Sequence, residues 1–216
     1  MLVIKNAELL DQSGKSHLAD VTISEGIIQK IESGSRETDG TIIDACGCLL
    51  LPGINDHHMH FASYAASIAS VYCGPPTVND EAELINALDQ PGSDWLRGIG
   101  FHESVLPELS RQWLDKHGPE RAIRIQHRTG RLWIVNSLGL EKLEAASSNL
   151  EEHERARLTS TDGHLYDVDE LLSTLTRNSS LPVREASQTL ASFGVTGFND
   201  MTASNDQDAW QWFSRM

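Results

Sequence analysis

No stretch of this 216-residue chain is apolar for long enough to cross a bilayer. Its N-terminus also lacks the basic segment and apolar core that mark a secretory leader. Both absences point to a cytoplasmic protein without a membrane partner. Cysteine is scarce: there are only three, Cys46, Cys48 and Cys73. An odd number in a chain of ordinary size gives no disulfide framework and fits a reducing compartment. Positive charge is scarce as well, with Lys+Arg 17 against Asp+Glu 31 and a net charge of -14. Such a chain repels phosphate backbones, which argues against nucleic acid as a partner and reads as a solvated surface. A dinucleotide fingerprint is missing too, because Gly98 and Gly100 have neither the third glycine nor the helix start that should follow.

What is present is concentrated between Leu49 and His60. An apolar run, Leu49-Leu50-Leu51, enters Pro52-Gly53 and leaves as Asp56-His57-His58-Met59-His60. Alternate side chains of a strand share a face, so Asp56, His58 and His60 point one way. Two imidazoles at i and i+2 can grip one divalent ion without the chain bending back. Imidazole suits Zn, Fe, Ni and Cu. Asp56, on the same face, can orient a ligand or touch the metal. Cys46-Gly47-Cys48 reads as small apolar residues feeding a buried strand rather than as a thiolate metal pair.

Before this stretch the chain offers short strands and tight turns. These are Leu2 to Leu10, Asp20 to Ser24, a hairpin turn at Glu25-Gly26, Ile27 to Ile31, and Thr41 to Ala45. It is too small to hold a good core alone. After His60 come a small-residue helix within 61–71 and a helix over 80–88 capped by Asn79. A strand from Asp94 to Glu103 follows, then a helix from Val105 to His117 and a strand from Ala122 to Arg128. An amphipathic helix is read from Leu132 to Leu143 and a charged, solvated one within 147–158. Asp162-Gly163-His164 is a turn. Helices Asp169 to Arg177 and Val183 to Phe193, the latter closed by Gly194, lead to a strand from Gly194 to Asp200 and a last helix from Asp206. His102 and His127 fall at strand ends, as do Glu103 and Arg128. Arg128 could hold a substrate carboxylate or polarise a carbonyl.

The run Pro52, Gly53, Asp56, His58, His60 resembles the amidohydrolase superfamily of metal-dependent hydrolases, in which a His-x-His pair ends the first strand of a (β/α)8 barrel. The segment Ile125 to Ser137 is similar to the amidohydrolase family 3 branch. It keeps Gly130 and Asn136-Ser137, with Thr129 and Arg131 where many relatives carry Asp and His. Asp20 to Ile28 looks like the strand-turn-strand of the small β-sandwich that opens many members.

The resemblance implies an α/β fold: residues 1–50 as the β-sandwich part of a composite domain, and 51–216 as a partial barrel. About four βα units are expected, with strands ending near His60, Phe101, His127 and Asp200. A complete barrel needs eight strands. The superfamily's other ligands, on strands five, six and eight, have no positions here. The chain therefore reads as an N-terminal portion, inactive alone, completed by a missing C-terminal half or by association with another copy. The implied activity is hydrolysis of an amide or other non-peptide C–N bond of a small molecule, using water activated by a divalent metal, most simply Zn. His58 and His60 would hold the metal. Asp56, His102, His127 and Arg128 are the catalytic candidates. The alternatives are a non-catalytic half-barrel with a binding or regulatory role, and an α/β domain whose histidines are structural.

Overall fold

The computed structural model describes residues 1–92, 95–176, 181–203 and 205–215. Asp94 and Arg177, where a strand was expected to start and a helix to end, lie outside the described residues, as does Met216. The chain divides into two units, Met1–Asp56 with Gly194–Gly197, and His57–Phe193 with Phe198–Met216.

The first unit carries strands β1 (Leu2–Leu10), β2 (Ser16–Ser24), β3 (Ile27–Glu32) and β4 (Thr41–Asp44) in the order β3-β2-β1-β4. β1 pairs antiparallel with β2 and parallel with β4. The β2–β3 hairpin turns at Glu25 and Gly26, both with positive φ (52° and 76°). That is the geometry whose twist matches the flanking strands. The β1–β2 register breaks between Ile4 and Ala7. Inside the break Asn6 donates its backbone N–H to Asp20 Oδ1 at 2.8 Å and its Nδ2 to Asp44 Oδ1 at 3.0 Å. Val3, Ala7, Ala19 and Val21 are buried, whereas Ile27, Ile28, Ile31, Ile42 and Ile43 are exposed. Cys46 and Cys48 are exposed too, which corrects the expected buried feed into a strand. Cys46 and Gly47 take positive φ (50° and 79°), so the chain turns there at the surface.

Next come β5 (Ile54–Met59), α1 (Phe61–Ile68), β6 (Val71–Tyr72), α2 (Glu81–Leu88), β7 (Leu96–Phe101), α3 (Arg111–His117) and β8 (Ile123–His127). β9 (Leu132–Val135), α4 (Ser137–Ala146), a 3-10 turn (Ser147–Asn149), α5 (Glu152–Arg157), β10 (His164–Tyr166), α6 (Asp169–Leu175), α7 (Val183–Ser192), β11 (Val195–Asp200) and α8 (Gln207–Phe213) complete the described order. The second unit is built on a five-stranded sheet, β10-β9-β8-β7-β6. β6, β7 and β8 run parallel, and β9 and β10 continue antiparallel. Leu84 and Leu88 of α2 and Leu114 of α3 pack with Leu96, Ile123, Ile125 and Ile134 in one core. Trp133, Val135 and Leu165 pack with Leu143 of α4 and Leu171 and Leu172 of α6 in another. Along β9 successive residues thus enter alternate cores, the period-two signature of a strand buried on both faces.

That alternation explains one correction. The first four residues of the expected helix Leu132 to Leu143 are a strand, because Trp133 and Val135 fill one side of the sheet and Ile134 the other, and all three favour extended backbone. Asn136 then switches the chain to helix. Its Oδ1 accepts from Gly139 N–H (2.9 Å) and Ile123 N–H (2.8 Å), and its Nδ2 donates to the Arg121 carbonyl (2.8 Å). It is 2 % exposed and capped into place, so one side chain joins α4 to the start of β8. A smaller correction concerns α2, whose N-cap is Asp80 rather than Asn79: the Asp80 carboxylate accepts from Glu83 N–H at 2.9 Å.

A larger difference concerns the four strands expected to form one half-barrel. Among the described residues they divide between two sheets. β5 and β11 pair with each other and run in the same direction. Ile54 N–H bonds the Gly194 carbonyl at one end, and Met201 N–H bonds the Met59 carbonyl at the other, both at 2.8 Å. β7 and β8 instead belong to the mixed sheet, where β8 pairs antiparallel with β9, a strand hidden in the sequence as part of a helix. On this sheet Arg124, 8 % exposed, lies 5.6 Å from the Trp95 ring and 5.3 Å from the Trp133 ring. Burial, with Arg97 beside it, pushes its pKa down to about 10, so it remains a cation held between indoles at neutral pH.

Candidate metal centre

His58 and His60 lie at the C-terminal end of β5, and both are exposed. Their rings meet edge to face, centroids 5.5 Å apart and planes at 87°. This places the pair on one side of the strand, as alternation requires. His60 Nδ1 is 3.1 Å from Thr202 Oγ1. The contact orients the ring and leaves Nε2 as the other ring nitrogen, with the tautomer not set by the hydroxyl, which can donate or accept. Asp56, earlier on β5, is half-buried, as is Met59.

The support behind His60 comes from the end of β11. Asp200 Oδ2 accepts from the Phe61 N–H at 2.8 Å, 139 residues away in sequence. Its Oδ1 accepts from Thr202 N–H and from Asn205 Nδ2, each at 2.9 Å. Asp200 therefore supplies the anion at the N-terminus of α1, where His60, in the cap position, makes no capping bond of its own. Partial burial raises the Asp200 pKa, but the bonds from Thr202, Phe61 and Asn205 outweigh it and hold the carboxyl below the usual carboxylate range. Phe61 stacks on Phe198 with centroids 4.8 Å apart, and Phe213 lies 6.3 Å from Phe61. Asp200 and Thr202 thus position His60. In the sequence Asp200 stands out only as the end of a strand. The signal for its real work, an Asp followed two residues on by Thr at a strand end, is local and common.

The other candidates sit on the five-stranded sheet. His127, 8 % exposed, ends β8, and its Nε2 is 3.1 Å from Glu103 Oε2. Its Nδ1 is 2.8 Å from Thr129 Oγ1. His102, just past β7, has Nδ1 2.8 Å from Ser104 Oγ and Nε2 3.7 Å from the same Glu103 oxygen. The Glu103 carboxyl is held below its ordinary range, first by its own backbone N–H, then by His127. The Arg128 side chain is exposed, while its backbone N–H bonds the Phe101 carbonyl at 2.9 Å. His102 and His127 are thus brought together by Glu103. Glu103 was already read beside His102 at a strand end; Ser104 and Thr129 are the partners that the sequence did not single out.

A His58–His60 pair suits a borderline divalent ion, and its chemistry is that of half a site, since catalytic zinc is normally held by three protein ligands. Among the described residues no three His, Cys, Asp or Glu side chains are arranged to hold an ion as they stand.

Comparison with known proteins defines the class. A sequence model of the amidohydrolase family matches residues 41–216, and the chain belongs to that family. It is 26% identical over 154 residues to the N-substituted formamide deformylase of Arthrobacter pascens, a match covering 65% of this chain and 28% of that enzyme. A shorter match, 41% identical over 59 residues, links it to the dihydroorotase of a Thermoanaerobacter strain, covering 27% of this chain and 14% of the relative. The structure of an uncharacterized metal-dependent hydrolase from Pyrococcus horikoshii superposes on 99% of this chain with a TM-score of 0.70 at 17% identity, and the chain covers 45% of it. The fold is therefore that of these hydrolases, and the matches cover less than half of each of these three proteins. No helix among the described residues is long and apolar enough to cross a membrane.

Proposed function

We propose that the chain forms part of a metal-dependent hydrolase that cleaves an amide or related non-peptide C–N bond in a small molecule. His58 and His60 hold a divalent metal, most simply Zn, through Nε2, and Asp56 supports them from the same strand. When bound, the metal lowers the pKa of a coordinated water to about 7 and polarises the scissile carbonyl. The chain's own residues contribute orientation: Thr202 fixes the His60 ring, and Asp200 fixes Thr202 and the start of α1. The remaining ligands and the general base belong to further strands of a barrel begun by β5, supplied by additional polypeptide. Two donors where three are needed, and matches that cover less than half of each reported relative, support that reading. Relatives named for dihydroorotate and N-substituted formamides make N-acyl and cyclic amides the substrate class to screen.

The observation that carries the proposal is the edge-to-face His58–His60 pair with Nδ1 of His60 engaged by Thr202. The test is metal analysis after equilibration with Zn and gel filtration. Wild type should carry one more equivalent than His58→Ala/His60→Ala. Equal metal content in the two would exclude this pair as a ligand set. A protein that binds the ion and hydrolyses nothing, even when joined to the downstream half of the fold, would favour a binding or regulatory role.

A further inference from the structure

The chain places two arginines side by side without an acid to meet them. Arg97 of β7 and Arg124 of β8 are partners in the parallel register of those strands. Such partners share a face of the sheet. Leu96, Ile123 and Ile125 fill the core on the opposite face, so both guanidiniums lie on the side of Trp133 and Val135. Their Cζ atoms are 5.5 Å and 5.3 Å from the centre of the same Trp133 ring. Trp95 flanks Arg124 at 5.6 Å, and Lys142 Nζ is 6.0 Å from that second indole. Three cations thus share two indoles.

Neither guanidinium is fully satisfied. Arg97 donates through Nη1 to Ser70 Oγ at 2.6 Å and to the Ala66 carbonyl at 3.5 Å. Arg124 is 8 % exposed, and its Nε is buried with no hydrogen-bond partner among the described residues. Among those residues neither arginine makes an ion pair. Asp169 acts on both from a distance, and its Oδ1 already accepts from Gln126 Nε2 at 2.8 Å and Trp133 Nε1 at 3.0 Å. Contact with an indole face offsets part of the cost of burying a cation, but it neither satisfies N–H donors nor relieves repulsion between like charges. The chain has 31 acidic residues and a net charge of -14, so the shortage of acid is local to this face.

We infer that Arg97 and Arg124 form a binding site for a carboxylate lying across both guanidiniums. Their planar forks match a pair of carboxylate oxygens, which an ammonium does not. Arg97 is half-buried and gives the site its open side, whereas Arg124 lies between the indoles. The site is separate from the His58–His60 pair: Arg97 reaches Ser70, past the C-terminal end of α1, while His60 precedes its first residue. The eight residues of helix between them span about 12 Å. The carboxylate belongs either to a free small molecule or to an acidic side chain of polypeptide that adds to the fold.

The experiment is a calorimetric titration of the chain with malonate at fixed ionic strength, with NaCl as the control that adds charge without a carboxylate. Malonate should bind saturably and one to one. Arg97→Gln should weaken binding about 10-fold, and Arg97→Lys by less, because it keeps the charge and loses the fork. Arg124→Met should abolish binding and, by removing a buried unpaired cation, raise the melting temperature measured without malonate. Should that variant fail to fold, the two Arg97 variants decide. Titrating the chain joined to the downstream half of the fold separates the two sources: binding retained there means a free carboxylate, and binding lost there alone means that a side chain of that half fills the site. Heats no greater than those of NaCl with the chain alone, or equal affinity in wild type and Arg97→Gln, would overturn the site. No metal enters the titration, so its failure and the failure of the proposed function are distinguishable.

Discussion

The two places where histidines end strands are built differently. His102 and His127 close strands of a sheet whose every described strand is recruited from 71–166, with helices on both faces and two cores of buried Leu, Ile, Val and Trp. His58 and His60 end β5, whose partner β11 arrives from far along the chain, and the contacts fixing their end of the strand span 139 and 142 residues. Short connections cost little closure entropy and long ones more. The sheet of β6 to β10 can therefore form from its own neighbourhood, while the β5–β11 pair depends on the rest of the second unit being in place. The buried corner is His127, whereas His58 and His60 are exposed and supported from remote residues. The pair proposed to hold the metal thus sits at the less locally determined end, the kind of place from which regions of low local stability are drawn.

The comparison breaks most visibly if the five-stranded sheet is not the stable part. Leu114 of α3 is fully buried in its first core. Leu114→Ala should cost about 2–5 kcal/mol in denaturant unfolding, from lost transfer energy and the cavity left behind. A loss under about 1 kcal/mol would mean that this core is loose and the contrast false. Asn136→Ala comes next. It removes the α4 cap and leaves Ile123 N–H and the Arg121 carbonyl without their bonds, together costing about 2–3 kcal/mol. Hydrogen exchange should show the β8 amides opening more readily in this variant while the Met201 amide, bonded to Met59, keeps its rate. Equal acceleration at both would show that the two regions unfold as one.

Much of this was legible in sequence. The Pro52-Gly53 to His60 run pointed to the family, and alternation alone placed His58 and His60 on one side of β5. The hairpin at Glu25-Gly26 was legible because only a left-handed pair satisfies so tight a turn. The sheet arrangement was not. Strands β7 and β8 read as barrel strands because a parallel strand buried on both faces looks the same in any α/β sheet, and the deciding neighbour, β9, is only four residues long. Leu132 to Leu143 merges β9 and α4 into one apolar pattern, and the break rests on the three bonds of Asn136, which no periodicity reveals. The partners of the imidazoles were hidden for a related reason. Thr202 lies 142 residues from His60, and no local pattern announces such a pair. Glu103, by contrast, adjoins His102 in sequence, yet its bond to His127 depends on the bulge at Gly100, where β7 carries one residue more than β8.

The smallest expected effect tests the remote support itself. Asp200→Asn keeps the shape of the side chain but replaces one of two accepting oxygens with a donor, against the N–H groups of Phe61 and Thr202 and the amide of Asn205. The site is only partly buried, so solvent screening trims the loss to about 1 kcal/mol at neutral pH. Its pH dependence is the sharper readout. The carboxyl titrates lower in the folded chain than its ordinary value of 3.8. The stabilisation it gives is fully present above that value and fades as pH falls through the lower, folded pKa. Wild type and Asp200→Asn should therefore differ at pH 7 and converge at strongly acidic pH. The variant should also bind metal at His58 and His60 about 10-fold more weakly, because Thr202 loses the anchor that aims it at His60. If stability falls while affinity at that pair stays unchanged, Asp200 serves the helix alone, and the imidazoles take their orientation from β5 without help from β11.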